Sequence, residues 1–138
     1  MHLLDVNVLV ALAWDSHVHH AHARKWFHDQ AGDGWATCPV TESGFVRVSS
    51  NPKVLPHALQ PREARRVLAG LRQAGAHRFI ADDVSLTDRD VPHIGGHRQV
   101  TDVHLLVLAR RAGARLLTFD TGVAKIGRAD VTLLGALF

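Results

Sequence analysis

Cysteine occurs once, at Cys38. No disulfide can form within the chain, which fits a reducing compartment. Cys38 itself reads as a small buried hydrophobe. No uninterrupted apolar run approaches the ~20 residues of a membrane span. The start lacks a basic leader, and Asp5 interrupts its apolar residues, which argues against a signal peptide. Linkers rich in Pro, Gly or Ser, internal repeats and low-complexity blocks are also missing. These absences lead us to expect one soluble, cytoplasmic domain, residues 1–138, with no membrane association. A chain of this size buries roughly two-thirds of its unfolded surface, enough for one sizeable core. Glutamate is scarce, with only Glu42 and Glu63.

What is plentiful is arginine. It supplies 13 of the 16 basic residues, and the formal net charge is +3. A basic balance weighted to guanidinium suits a polyanionic partner, because guanidinium binds phosphate bidentately. The balance is modest and is also common in proteins that bind no nucleic acid.

The opening stretch, MHLLDVNVLVAL, is almost continuously apolar yet contains Asp5 and Asn7. It reads as a short strand, His2–Leu4, followed by a buried helix from about Val6. Asp5 then sits at the carboxyl end of a core strand, where α/β sheets place their chemistry. It could equally serve as the cap of the helix that follows.

Farther on, a helix is expected from about His17 to Gln30, capped by Asp15 or Ser16. Its HVHHAH segment has no carboxylate or cysteine at a zinc spacing, so a half-exposed helix face is the better reading. Trp35–Cys38 reads as a second strand. A helix from about Thr41 to Ser49 follows, with Thr41 as its cap. Glu42 shares the face of Phe45 and Val46, so it points inward. Asn51–Gln60 is a loop, and Pro61 opens a helix running to about Ala74. Ala64, Val67, Leu68 and Leu71 form that helix's buried stripe. Arg62, Arg65, Arg66 and Arg72 lie off it, either as a solvated face or, with Arg98 of the Gly95–Arg98 turn, as phosphate-backbone contacts. His77–Ala81 is a third strand. Asp82, Asp83, Asp88 and Asp90 read as structural loop residues.

The segment QVTDVHLLVLARRAG is the strongest helix, with Thr101 as a possible cap and Gly113 as its stop. Asp102, Leu105, Leu106 and Ala109 keep helical spacing, so Asp102 opens a buried stripe. Arg110 and Arg111 suit the negative end of the helix dipole. Arg115–Phe119 is a fourth strand, ended by Asp120, and Val131–Leu134 a fifth. Lys125 falls in polar loop sequence. Strands alternating with helices imply an α/β fold with a mostly parallel sheet.

Asp5, Glu42, Asp102 and Asp120 thus occupy like places: past a strand end, or inward in a helix's first turn. If strands 1 and 4 are neighbours, these places border the crevice where strand order reverses. Four close carboxylates repel, and some would take up protons without a counter-charge. A hard divalent cation resolves this, and oxygen-only ligands suit Mg2+ or Mn2+ over zinc. Such ions activate water and polarise phosphoryl oxygens.

The segments LLDVNVLVAL, TESGFVRV and QVTDVHLLVLARRAGARLLTFD, and more loosely HHAHARKWF, carry a family resemblance across most of the chain. The protein resembles the PIN-domain ribonucleases, and closely the VapC-type toxins of bacterial toxin–antitoxin pairs. The resemblance implies a three-layer α/β/α sandwich with a five-stranded sheet ordered 3-2-1-4-5. It implies that Asp5, Glu42, Asp102 and Asp120 make the metal site, with Asn7, Thr41, Thr101 and Thr118 in support. It further implies Mg2+-dependent endonucleolytic RNA cleavage leaving a 5′-phosphate and a 3′-hydroxyl, a homodimer, and inhibition by a cognate VapB-type antitoxin. A PIN domain serving RNA processing without an antitoxin is the alternative within the family. A haloacid-dehalogenase-like phosphatase would need an acid where Asn7 stands. A response-regulator receiver would need an acidic pair beside the first strand and a lysine ending a late strand, and neither is present.

Overall fold

The computed structural model describes residues 1–135. The sheet has five strands: β1 (His2–Leu4), β2 (Trp35–Thr37), β3 (His77–Phe79), β4 (Arg115–Thr118) and β5 (Val131–Leu133). All pairings are parallel and the order is β3-β2-β1-β4-β5. The helices are α1 (Val6–Ala13), α2 (His20–Gln30), α3 (Pro39–Ser49), α4 (Pro61–Leu71), α5 (Val100–Arg111) and α6 (Thr121–Gly127). This is the expected three-layer sandwich. The last three residues of the expected 1–138 domain lie outside the described residues.

Strand side chains alternate between two cores, as the pleat requires. Leu3 and Leu116 pack on one face with Leu105, Leu106 and Val123 of α5 and α6. Leu4 and Leu117 pack on the other with Val8, Leu9 and Phe45 of α1 and α3. Each such fully buried leucine contributes about 1.5–3 kcal/mol. Both sheet faces are covered, which explains the near-continuous apolar runs of β1 and β4. The chain leaves β1 towards β2 through α1 and α2 on one face. It leaves β4 towards β5 through α6 on the other. Strand order therefore reverses between β1 and β4, and their carboxyl ends open onto a crevice.

One close approach brings α3 against α1. A Cβ on Gly44 would stand 2.5 Å from Val6 Cγ2, so α3 meets the start of α1 where only glycine fits. Gly113, at φ +69°, ends α5 as expected. Cys38 is buried and unpaired.

Several boundaries differ from the sequence reading. Strands β2 to β5 end one or two residues early, although Ile80 N–H and Leu134 N–H still donate to Thr37 and Thr118 carbonyls at 2.8 Å. Helix α2 begins at His20, because His17 N–H folds back onto the Trp14 carbonyl at 3.1 Å in a turn. Helix α3 begins at Pro39, with proline at its first position and Cys38 as N-cap. Thr41 is inside it. Helix α4 stops at Leu71. Helix α5 starts at Val100 after a short 3-10 turn, His97–Gln99, so Thr101 is not its cap. Helix α6 had no expectation at all, and Lys125 stands in its last turn. Residues 80–96 contain no helix or strand, as the loop reading of Asp82, Asp83, Asp88 and Asp90 requires. Asp82 holds His104 Nε2 at 2.6 Å. Asp88 and Asp90 clamp Arg111 of α5, at 2.8 Å and 2.5 Å. Arg110 pairs with Asp130 at 2.7 Å. Among the described residues no helix is long and apolar enough to cross a membrane.

Candidate active site

Asp5 follows β1 directly, and both sequence readings of it hold. It is the N-cap of α1, with Oδ1 accepting the Val6 N–H at 2.7 Å. It also lies at the switch crevice, its own N–H pairing with the Leu117 carbonyl of β4 at 2.9 Å. Its other oxygen, Oδ2, accepts the Thr118 hydroxyl at 2.8 Å. Only 9% of the residue is exposed. Burial raises its pKa despite both hydrogen bonds, and the neighbouring Asp120 raises it further.

Thr118, the fully buried last residue of β4, organises this end of the sheet. Its hydroxyl donates to Asp5 and accepts the Asp120 N–H at 3.1 Å and the Asn7 Nδ2–H at 3.3 Å. That uses the one donor and both acceptor positions of a hydroxyl. Asn7 Oδ1 accepts the Phe119 N–H at 3.4 Å, tying α1 to the end of β4. Asp120 caps α6 as Asp5 caps α1, with Oδ1 accepting the Gly122 N–H at 2.8 Å.

Asp102 comes to the same place from the other side of the sheet, in the first turn of α5. No hydrogen bond reaches its carboxylate from the described residues. Burial pushes its pKa up to about 6, with Asp5 and Asp120 adding repulsion. Asp5, Asp102 and Asp120 line one cavity of about 490 Å3. Asn7 and His17 join them on its polar side, and Val10, Val48, Val54 and Leu55 form an aliphatic wall.

Glu42 is not brought into that cavity. Its Oε2 accepts the Thr37 hydroxyl at 2.6 Å, and the Arg72 guanidinium stands 3.3 Å away. It lines a neighbouring groove between α3 and α4 with Arg47 and Arg65. Thr41 is fully buried, and its hydroxyl serves the start of α3, accepting the Cys38 N–H at 3.0 Å. Thr101 is exposed and borders a separate depression with Val6 and Arg47. Arg62, Arg65, Arg66 and Arg98 are exposed, without a carboxylate partner among the described residues. Arg72, by contrast, is engaged by Glu42 and also lies over the Phe79 ring at 5.3 Å.

Sequence reasoning missed His17 at the cavity. The HVHHAH segment contains it, but the sequence reading made it the first residue of a half-exposed helix, whereas α2 starts only at His20. The other histidines of the segment are engaged in packing. His19 stacks on Phe119 at 4.5 Å, and His20 Nδ1 meets the Ala11 carbonyl at 2.8 Å.

Among the described residues, no group of three or more His, Cys, Asp or Glu side chains is drawn together as a ready metal cluster. The donor chemistry nevertheless fits a hard cation. The three acids offer oxygen alone, and burial, with repulsion from neighbouring acids, raises the pKa of Asp5 and Asp102, a cost that a cation would offset.

Comparison with known proteins identifies the family. The PIN domain family matches residues 2–129. Ribonuclease VapC38 of Mycobacterium tuberculosis is 70% identical over 123 residues, covering 89% of this chain and 87% of that protein. Ribonuclease VapC39 of the same organism is 49% identical over 127 residues, covering 88% and 90%. Ribonuclease VapC29 is 38% identical over 133 residues, covering 96% and 94%.

Proposed function

Since the chain belongs to the PIN domain family, and within it to the VapC ribonucleases, we propose that it is a divalent-cation-dependent endoribonuclease acting as the toxin of a toxin–antitoxin pair. The observation that carries the reading is the meeting of Asp5, Asp102 and Asp120 in one cavity at the β1–β4 switch. Asp102 ionises against both burial and the charges of Asp5 and Asp120 and makes no hydrogen bond to any described residue, which gives it no structural use. The three acids suit a site that binds a cation and then a phosphate.

Asp5, Asp102 and Asp120 are the residues that would hold Mg2+ or Mn2+. Bound there, the cation supplies Lewis acidity towards a phosphodiester and activates water for its hydrolysis. The chain's own residues set up that chemistry. Thr118 and the Val6 amide fix the Asp5 carboxylate. Asn7 locks α1 to β4, and the Gly122 amide fixes Asp120. Asp102, with no hydrogen bond from the described residues, is the acid with most to gain from a positive charge. Glu42 serves the same ion only by giving up Arg72 and the Thr37 hydroxyl. The exposed Arg62, Arg65, Arg66 and Arg98 attract the RNA backbone, and the aliphatic wall receives nucleotide flanks. Thr41 and Thr101 take no part in this assignment. A homodimer and a VapB-type antitoxin are the partners we expect from family membership.

The test is cleavage of bulk RNA by the purified chain, with Mg2+ and in EDTA. We expect new 5′-phosphate ends with Mg2+, none in EDTA, and none from Asp102→Asn. Cleavage that persists in EDTA, or in Asp102→Asn, overturns the metal-site reading.

A further inference from the structure

His17 lines the acidic cavity and has no part in the site described above. It precedes α2, in the turn that follows α1, and lines the cavity beside Asp5, Asp102 and Asp120. Its Nδ1 accepts the backbone N–H of His19 at 3.0 Å. An accepting nitrogen carries no proton, so the neutral ring bears its hydrogen on Nε2. Burial, and then His19 and His20, lower the pKa of the ring and keep it neutral near pH 7. No described residue takes the Nε2 proton.

The chemistry of the cavity says what that donor is for. Three carboxylates repel an RNA phosphate wherever the cation does not reach. A protonated imidazole or a lysine here would attract the phosphate but compete with the cation for the same acids. A neutral N–H does neither: it donates a hydrogen bond and brings no net charge. We propose that His17 is a substrate-binding residue whose Nε2–H donates to a phosphodiester oxygen of the bound RNA strand. This rests on the ribonuclease reading above. The His19 amide fixes the tautomer, so the donor stands ready before RNA arrives. No proton is transferred.

The test compares His17→Phe and His17→Gln with the wild type. Gln retains an N–H donor at a similar reach, and Phe keeps the ring volume only. Three measurements are needed: cleavage of bulk tRNA with Mg2+, anisotropy of a fluorescein-labelled mixed-sequence RNA in the Asp102→Asn background, and calorimetric Mn2+ binding. His17→Phe should lower kcat/KM about 10- to 100-fold, chiefly through KM, as loss of a hydrogen bond to a charged group does. RNA affinity should fall in parallel, Mn2+ affinity should stay, and His17→Gln should recover most of both losses. If His17→Gln is as impaired as His17→Phe, or if Mn2+ affinity falls with RNA affinity, the role is structural and the inference is overturned. If the wild type cleaves RNA and His17→Phe changes nothing, the inference fails while the ribonuclease reading stands. If the wild type cleaves nothing but His17→Phe still loses RNA affinity, the contact stands and the ribonuclease reading fails.

Discussion

Replacing Asp102 by asparagine should make the metal-free protein more stable while abolishing its activity. Asp102 titrates near 6 instead of the ordinary 3.8, through burial and the repulsion of Asp5 and Asp120. A raised carboxyl pKa means that the folded state prefers the proton. Below about pH 3.8 the group is protonated in both states and costs nothing; above about pH 6 it is ionised in both and the full penalty applies. Stability therefore falls as pH rises through that window. At about 1.36 kcal/mol per pH unit the ceiling is about 3 kcal/mol. The carboxylate is half-exposed, and solvent screening reduces this to about 1 kcal/mol. Asparagine keeps the shape and removes the charge, so it should recover that amount near neutral pH and nothing near pH 4. Urea denaturation in EDTA, followed by the fluorescence of the fully buried Trp35, would measure it. Saturating Mg2+ should reverse the order, because a ligand that binds only the folded wild type stabilises it alone. Should Asp102→Asn prove no more stable than wild type in EDTA, or should its gain persist at low pH, the three acids are not in electrostatic conflict and the argument for a cation fails.

Other outcomes follow from the same geometry. Thr118→Val removes the buried hydroxyl that donates to Asp5 and should cost about 1.5–3 kcal/mol by denaturation, since a bond to a charged acceptor is lost. It should also weaken Mn2+ binding, measured by calorimetry. Gly44→Ala drives a methyl into Val6, the residue that follows Asp5, and should destabilise by about 1–3 kcal/mol. Adding Val6→Ala should recover much of that loss, and no recovery would mean the two helices do not meet there. Mn2+ affinity in the wild type should fall as pH drops through about 6, where Asp102 takes up its proton, and this fall should flatten in Asp102→Asn. Arg111→Ala frees Asp88 and Asp90, and hydrogen exchange should then rise in residues 82–96 with RNA cleavage retained.

The mostly parallel α/β fold was legible because it follows from long-range regularities, whereas the three layers and the strand order came from the family resemblance. Apolar runs without alternation at His2–Leu4 and Arg115–Phe119 require a sheet covered on both faces, and helical stretches between strands force parallel pairing. Asp5 and Asp120 were legible for a related reason, since a carboxylate ending an apolar strand has few explanations. What stayed hidden was short or depended on three dimensions. Helix α6 has only seven residues, from Thr121 after the cap Asp120 to a second glycine, Gly127, too few turns for a periodic pattern to emerge. His17 shares a segment with helical histidines but leaves their face, because a turn precedes α2 and no side chain caps the helix. The Asp88 and Asp90 clamp on Arg111 joins residues more than twenty positions apart, and no spacing rule links them.

Glu42 shows most clearly where sequence patterning stops. Its spacing from Phe45 and Val46 pointed it inward, and it is indeed partly buried. Helical residues advance by about 100° each, however, so the inward side of a helix has two flanks that face different neighbours. Thr41 and Gly44 are buried on one flank of α3, where Gly44 meets Val6, and Val48 continues that flank to the acidic cavity. Glu42 with Val46 turns to the other flank, where Leu68 and Arg65 of α4 form the facing wall. There it finds the Thr37 hydroxyl and the Arg72 guanidinium. Periodicity states how deep a side chain lies and leaves open which element it lies against. The arginine that engages Glu42 sits thirty residues away, just past the end of α4, where sequence reading could place it only off the buried stripe. Arg72, with the Thr37 hydroxyl, holds Glu42 on this flank. Arg72→Ala should raise Mn2+ affinity if Glu42 swings to the cavity, and Glu42→Gln in that background should cancel the gain. Unchanged affinity in Arg72→Ala would instead leave Asp5, Asp102 and Asp120 as the sufficient set.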